Sequence, residues 1–542
     1  MRRAPALVAV LAMAAGCSRC GRKEGPPPER HLPADAAVTV VIPSLGPAAR
    51  QVGALQRTVA SVPAASQLAE AWAAVRSQLG FDPLDPKGLE DAGLDASGGA
   101  AASFAPGRPP LLVLPVADLG RFDAMALRLA RDRMGAAQRV SSMGRGHPVV
   151  SYRKDAAAPA ALAYAVVGRF ALVATGPRGP EVLSAAADLP EERSLQASAE
   201  WASARAALGP GFALVAFAPP RSSATSAIPA ATDGAALALR AGPASLSLRL
   251  ALLLGAGRAP GWSALAGEGP EAARQAGQGE ARLLAPDAAL AVRWGGDLAA
   301  LGRKAIPFLP SHIQASLQAA HIDLAGELLE ALRPGAALSL SLAPSFTLAE
   351  FSSPSLDLRR ADPFRLVKLE ALLRVRDAAR ARAFFARVGQ SAPRWNARLA
   401  SRAVPGGATI WTLSYGRGQL AWSLAGDRLV VAGGAGRLEA LEKRLAAAAG
   451  GYEPPGPAAK AALEGGVGGA VLDVENLLES IQALPEEAYG TGPNAFVMRS
   501  LADRFLEPAS RLRAASLRLD LLPGAALLDL EIEGRGPEVP KP

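Results

Sequence analysis

Four histidines, His31, His147, His312 and His321, are the only imidazoles in a chain of 542 residues. Imidazole moves protons near neutral pH and binds zinc, so the spacing of these four decides how far hydrolytic or metal chemistry can be carried. His312 and His321 stand nine positions apart in one predicted helical segment. At ~100° per residue they fall on opposite faces of a continuous helix and cannot share a metal there. His147 precedes Pro148 at the start of a predicted strand and reads as a turn residue, while His31 lies beside a proline-rich stretch. No G-x-S-x-G motif occurs, so a hydrolase would need a Ser/His/Asp site gathered in space from remote residues. Carboxylates cluster at Asp82, Asp85, Glu90, Asp91 and Asp95, where oxygens could hold calcium. The run Asp82-Pro-Leu-Asp85-Pro carries two prolines and no glycine at the sixth position of an EF-hand loop, so Asp82 and Asp85 read as turn and helix-cap residues.

Phosphate chemistry has two candidate loops and no P-loop. Gly434-Ala-Gly436-Arg-Leu-Glu follows a predicted strand and opens a helix, but it lacks the third glycine and the parallel βαβ unit of a dinucleotide site. Its counterpart in the first half, Gly176-Pro-Arg-Gly179-Pro, loses two amide donors to Pro177 and Pro180. Both read as turns. Glu191-Glu192 and Glu486-Glu487 each follow a proline and mark helix N-termini, where acids meet the helix dipole. Arg374, Arg376, Arg380, Arg382 and Arg387 form the densest basic run and read as a solvated face with residual affinity for anionic lipid or lipopolysaccharide.

The composition is that of a folded protein, with 50% hydrophobic, 5% aromatic and 20% charged residues. Two cysteines cannot build a disulfide framework. The formal charge of +9 rests on arginine, which outnumbers lysine 50 to 8. A nucleic-acid binder would show a basic stripe interleaved with aromatics. Here aromatics are scarce and arginines neighbour acids, as in Arg128-Leu-Ala-Arg131-Asp132-Arg133, so no nucleic-acid partner is expected.

The N-terminus places the chain. Met1-Arg2-Arg3 is a positive start and Ala4 to Ala15 an apolar stretch of 12 residues, shorter than the ~20 a membrane-spanning helix needs. Ala14-Ala15-Gly16-Cys17 then resembles the lipobox of bacterial lipoproteins, with Ala14 where such motifs usually carry leucine. That resemblance implies cleavage before Cys17, a diacylglycerol on its thiol, acylation of the new amino group, and sorting to the outer membrane, facing the periplasm. Cys17-Ser-Arg-Cys20 also matches a C-x-x-C redox pair, but it lacks the strand-to-helix setting such a pair uses. Residues 1–16 are thus expected as signal peptide and 17–31 as a flexible tether.

Beyond the tether one order of signals occurs twice. Leu32-Pro-Ala-Asp35 opens the first half and Leu284-Ala-Pro-Asp287 the second. In each half a strand runs into an Asp-capped helix, at Asp118 with Phe122, Met125 and Leu129, and at Asp377 with Ala381, Phe384 and Val388. Hairpins turning at Gly168-Arg169 and Gly426-Asp427 follow, then a helix, then the alternating strands 245–250 and 516–521. The expected fold is α+β: two similar domains from an internal duplication, each a mainly antiparallel sheet covered by helices. The expected boundaries are 32–254 and 283–535, with 255–282 as linker, Ser222 to Asp233 as a loop and 536–542 as a disordered tail. The opening Leu32-Pro-Ala-Asp35, the segment Gly80-Phe-Asp-Pro-Leu-Asp-Pro and Ala92-Gly-Leu-Asp95 resemble an uncharacterised family of bacterial lipoproteins. That resemblance brings no activity, cofactor, metal or catalytic residue.

The resulting expectation is a lipid-anchored envelope protein, not an enzyme, that binds or scaffolds an envelope protein, lipid or polymer. A carrier of an acyl chain would need a lined apolar cavity of several hundred Å³ on the scale of ~300–1,000 Å³ ligand sites. A hydrolase would need a nucleophile within ~3.2 Å of a histidine. A scaffold would instead expose an apolar patch on one sheet face.

Overall fold

Alternation of apolar and polar residues between tight glycine turns gives 20 short strands among the described residues, all of whose described pairings are antiparallel. The structure is a computed structural model describing residues 26–59, 66–144, 146–219, 232, 234–242, 244–255, 259–308, 311–347, 366–403, 409–415, 418–434, 436–490 and 493–535. Cys17 and the motif Ala14, Ala15 and Gly16 lie outside these residues, as do Cys20, the tail 536–542 and most of Ser222 to Asp233. The architecture is mixed helix and antiparallel sheet, α+β, in two compact units. The first runs to residue 258 and includes 524–527; the second comprises 259–523 and continues from 528. Among the described residues no helix is long and apolar enough to cross a membrane.

The first unit contains β1 (Val38–Ile42), β2 (Ala100–Phe104), β3 (Leu111–Pro115), β4 (Gln138–Gly144), β5 (His147–Arg153), β6 (Leu162–Val167), β7 (Phe170–Thr175), β8 (Leu214–Ala218), β9 (Gly234–Ala241) and β10 (Ser245–Leu253). They pair in the order β4-β5-β6-β7-β3-β2-β1-β8-β9-β10. Its helices are α1 (Leu45–Val59), α2 (Ser66–Leu79), α3 (Pro86–Asp91), α4 (Leu119–Met134), α5 (Gly179–Ala187) and α6 (Ala199–Leu208). The Asp118 side chain accepts the Arg121 N–H at 3.0 Å and starts α4, and Gly135 in the left-handed region ends it. Between these caps Phe122, Met125, Ala126 and Ala130 pack on Ile42, Ala102, Val150, Tyr152 and Tyr164 in one core.

The second unit contains β11 (Leu290–Trp294), β12 (Leu332–Leu342), β13 (Val367–Val375), β14 (Ala397–Ala403), β15 (Thr409–Tyr415), β16 (Gly418–Ala425), β17 (Arg428–Gly433), β18 (Gly468–Asp473), β19 (Leu512–Leu522) and β20 (Ala525–Gly534), whose opening residues 525–527 are counted with the first unit. The order is β14-β15-β16-β17-β13-β12-β11-β18-β19-β20, position for position that of the first unit. The helices are α7 (Ala259–Ala266), α8 (Pro270–Gln275), α9 (Gln278–Ala281), α10 (Leu298–Ala305), α11 (Ser311–Ala319), α12 (Ala378–Ser391), α13 (Arg437–Ala447), α14 (Pro457–Gly465), α15 (Val474–Gln482) and α16 (Pro493–Ala509).

Register in the second unit puts unlike chemistry on its two sheet faces. Directly opposed residues share a face. One face carries the rows Leu369, Leu340, Leu290, Leu472, Ala515 and Ala371, Leu338, Val292, Ala470, Leu517. Leu472 and Leu517 are each 38% exposed, and most of the rest are half-buried. The other face carries Glu370, Ser339, Ala291, Val471 and Ser516 in one row, all buried. The alternation Leu338-Ser-Leu-Ser-Leu342 is therefore inverted: its serines point into the core and its leucines outward.

Four sequence expectations are corrected. The stretch 255–282 is no linker from residue 259 on, because α7, α8 and α9 pack into the second unit, where Ala273 and Ala281 are buried. The tether ends before residue 28: Pro28–His31 forms a 3-10 turn, Glu29 and His31 are buried, and the Arg30 guanidinium donates to the Leu189 carbonyl at 2.7 Å. The strand 516–521 lies within β19, so by pairing order the counterpart of β10 is β20. Finally, α11 ends at Ala319 and His321 lies past it at φ 54°, so the two histidines do not share a helix.

Candidate functional site

The predicted chemical residues fall apart from one another. His31 is buried with its ring edge-on to Phe170 at 5.6 Å; burial, with the nearby Arg30 charge, lowers its pKa to about 4. His147 Nε2 lies 3.6 Å from Asp188 Oδ1 at the surface, and Ser184, one turn earlier on α5, donates its hydroxyl to the Pro180 carbonyl at 3.0 Å. The carboxylates at 82–95 serve local backbone: Asp82 accepts the Leu84 N–H at 3.0 Å, Asp85 caps α3 through Lys87 N at 3.1 Å, and Asp95 accepts Ser97 N at 2.9 Å. Among the described residues no three His, Cys, Asp or Glu side chains are placed to hold a metal.

Two polar clusters that sequence reasoning missed lie under helices. In the first unit the Tyr152 hydroxyl donates to Asp123 Oδ1 and the Tyr164 hydroxyl reaches the same oxygen at 2.5 Å, with Arg139 Nε 3.4 Å from Oδ2. Burial and the Asp123 charge push both phenols up, Tyr164 to about 12. Burial acts to raise Asp123, yet the two phenolic hydrogen bonds and Arg139 hold its carboxyl below the ordinary range. At neutral pH the phenols are thus fixed donors that pin α4 to β5 and β6. The sequence hint was Asp123 itself, an acid beside the apolar stripe of Phe122 and Met125.

In the second unit Gly436, in the left-handed region, stands at the N-cap of α13. It starts α13 so that Arg437 turns inward, with Nη2 2.7 Å from Asp287 Oδ2 and Nη1 3.3 Å from Glu370 Oε1. Arg444 donates to the other Glu370 oxygen, and Ser341 Oγ lies 3.2 Å from Arg437 Nη2. Glu370 is 1% exposed; burial pushes its carboxyl up against the pull of the two guanidiniums. Gly176 and Gly179 likewise make a turn, with the Gly179 N–H donating to the Gly176 carbonyl.

Arg293 on β11 is fully buried and has no carboxylate in ion-pair reach among the described residues. Its Nη1 donates to the carbonyls of Ala273, Arg274 and Ala276 at 3.3, 3.0 and 2.6 Å, closing the end of α8, and its Nη2 to Gly466. Burial lowers its pKa to about 10. The clamp positions one wall of a concavity of about 360 Å³ lined by Ala266, Glu268, Ala272, Ala273, Ala276, Arg333, Pro334 and Arg376. A second concavity of about 380 Å³ shares Arg376 and adds Arg303, Arg380, Glu330, Asp297, Ala299 and Asp377. Opposite the α8 wall, β12 shifts register between Leu332 and Ala336, a bulge that takes Arg333 and Pro334 out of the ladder. Gly335 and Gly277, at φ 100° and 78°, let the bulge and the α8–α9 turn abut; a Cβ on Gly335 would sit 2.9 Å from the Gly277 nitrogen.

Most of the predicted basic run is paired. Arg374 meets Glu280 at 2.6 Å and Asp427 at 3.1 Å, Arg380 meets Glu330 at 3.1 Å and Arg387 meets Glu327 at 3.0 Å. Arg376 and Arg382 have no carboxylate partner among the described residues.

No family model matches the chain, and no curated protein matches it. Among solved structures, three crystal forms of TP0453 align with it. Forms I and III each cover 43% of this chain and 81% and 82% of their own; form IV covers 42% and 81%. Their TM-score is 0.24 at 11–12% identity, a likeness too slight to carry an argument about fold or role.

Proposed function

We propose that this protein is a lipid-anchored, non-catalytic binding module of the bacterial cell envelope. It is tethered through an acylated Cys17 at the outer membrane, and its body arose by duplication of one ten-stranded α+β unit. The shared strand order supports the duplication, and Ala14-Ala15-Gly16-Cys17 supports the anchor. The binding role rests on one observation, the leucine rows of β11, β12, β18 and β19, which form the apolar patch on a sheet face that a scaffold needs. The partner that fits is an apolar segment of another envelope protein. The two concavities of the second unit are lined by arginines, acids and alanines, which favours this reading over an acyl-chain carrier.

The test places a photocrosslinking amino acid at Leu472 in cells, with the same probe at exposed Glu90 as reference. A discrete adduct at Leu472, absent at Glu90 and lost in a Leu517→Asp background, is the expected result. Equal labelling at both positions, or none, defeats the binding role. Cys17→Ala should abolish acyl labelling and release the protein from membranes; retention without lipid mass defeats the anchor.

A further inference from the structure

We propose that the concavity at the β12 bulge binds a phosphate group through Arg333 and Arg376. This site is separate from the leucine rows and independent of the anchor. Arginines of the second unit are as a rule matched: Arg303 and Arg380 share Glu330, and Arg374 takes Glu280 and Asp427. Arg333 and Arg376 are exceptions to this, as Arg293 and Arg382 are, and these two line one concavity. They lie at one end of the paired strands β12 and β13, where Leu332 faces Val375, and neither has a carboxylate in ion-pair reach among the described residues. Two like charges lining one concavity repel each other, and a bridging anion relieves that repulsion.

The geometry is prepared for such an anion. Arg376 Nε–H donates to the Leu332 carbonyl at 2.7 Å, which fixes the guanidinium plane and leaves both terminal amino groups for a ligand. The bulge sets Arg333 in the same concavity, and the Arg293 clamp holds the facing alanine wall. Among the described residues Glu268 is the one acid lining it, against two arginines, so that lining carries net positive charge. Two planar guanidinium forks suit a tetrahedral dianion, whose several oxygens can accept from both at once. At about 360 Å³ the space lies at the small end of ligand sites, so the phosphate would be carried by a group of glycerol size, either free or as a phospholipid headgroup.

The experiment titrates the full-length protein with glycerol phosphate and, separately, with phosphatidylcholine vesicles with and without phosphatidylglycerol. Saturable binding of glycerol phosphate, weakened about tenfold or more by Arg333→Ala/Arg376→Ala and unchanged by Arg402→Ala, supports the site with a soluble ligand. Binding confined to phosphatidylglycerol vesicles, with the same dependence on the two arginines, supports it with a headgroup. Glu268→Gln should tighten binding several-fold, which keeps the test open if the double variant misfolds. Absence of saturable binding to either probe, or binding indifferent to all these substitutions, overturns the proposal.

Discussion

The two units lay ten strands in the same order, yet they solve the problem of their interior polar groups differently. The first half-buries the Asp123 carboxylate and satisfies it chiefly with two phenols beneath α4. The second buries full charges: Glu370 between Arg437 and Arg444, and Arg293 among carbonyls. In the first unit Val40 and Leu112, at the strand positions corresponding to Val292 and Ala371 of the leucine rows, pack against a core that includes Phe122 and Met125 of α4. In the second, Leu472 and Leu517 stay exposed while serine and glutamate point inward. The matching face buries Thr39 and Ser103 in the first unit and Ser339 with Glu370 in the second, so the two units differ in the charge that the helices must meet there.

The sharpest way to break this comparison is Arg293→Leu. Val41 holds the corresponding fourth place in β1, buried, with Ala101 and Val215 opposite it on the paired strands. Arg293→Leu should lower the unfolding free energy of the second unit by ~3–5 kcal/mol, whereas Val41→Leu should cost under ~1.5 kcal/mol in the first. Chemical denaturation followed by tryptophan fluorescence measures both, and a neutral Arg293→Leu would show that the clamp does not hold the unit together.

The next largest effect is acid sensitivity in the first unit. His31 has its pKa lowered from 6.5 to about 4, so its burial as a neutral ring stabilises above pH 6.5 and that contribution is lost as pH falls from 6.5 towards 4. The loss should reach up to ~3 kcal/mol, and His31→Phe should flatten stability across that window in pH-dependent denaturation. Tyr164 works in the opposite sense. Its pKa is raised from 10 to about 12, so its contribution is complete below pH 10 and lost as pH climbs to 12. Tyr164→Phe should cost ~1–2 kcal/mol at neutral pH and remove that alkaline limb.

The smallest effect tests sameness, not difference. Asp118 caps α4 and Asp377 caps α12 through equivalent bonds of 3.0 and 2.9 Å to the third residue on. Each Asp→Ala change should cost about 1 kcal/mol, and unequal costs would show that the matching strand orders conceal different helix seating.

Local devices were legible in the sequence. Asp118 and Asp377 as caps, the Gly168 and Gly426 hairpins, and antiparallel pairing all follow from residue type and period. What escaped reading depends on partners remote in sequence. The helices between 259 and 281 show little apolar periodicity because α8 is held by Arg293 through its backbone carbonyls as much as by side-chain packing. Leu338-Ser-Leu-Ser-Leu342 fixes which residues share a face but not which face turns inward; that is decided by Arg437, about a hundred positions away, which donates to Ser341. The concavity escaped for the same reason, since a bulge in β12 and a register with β13 bring Arg333 and Arg376 together.

Gly277 and Gly335 meet with no side chain between them, so the width of the cleft beside Arg333 is set by two absent methyl groups. A single alanine at Gly335 would force the α8–α9 corner away from the strand without touching a charged side chain. The opening is therefore adjustable by steric means, and its grip on a bound group can drift or be engineered with Arg333 and Arg376 both kept.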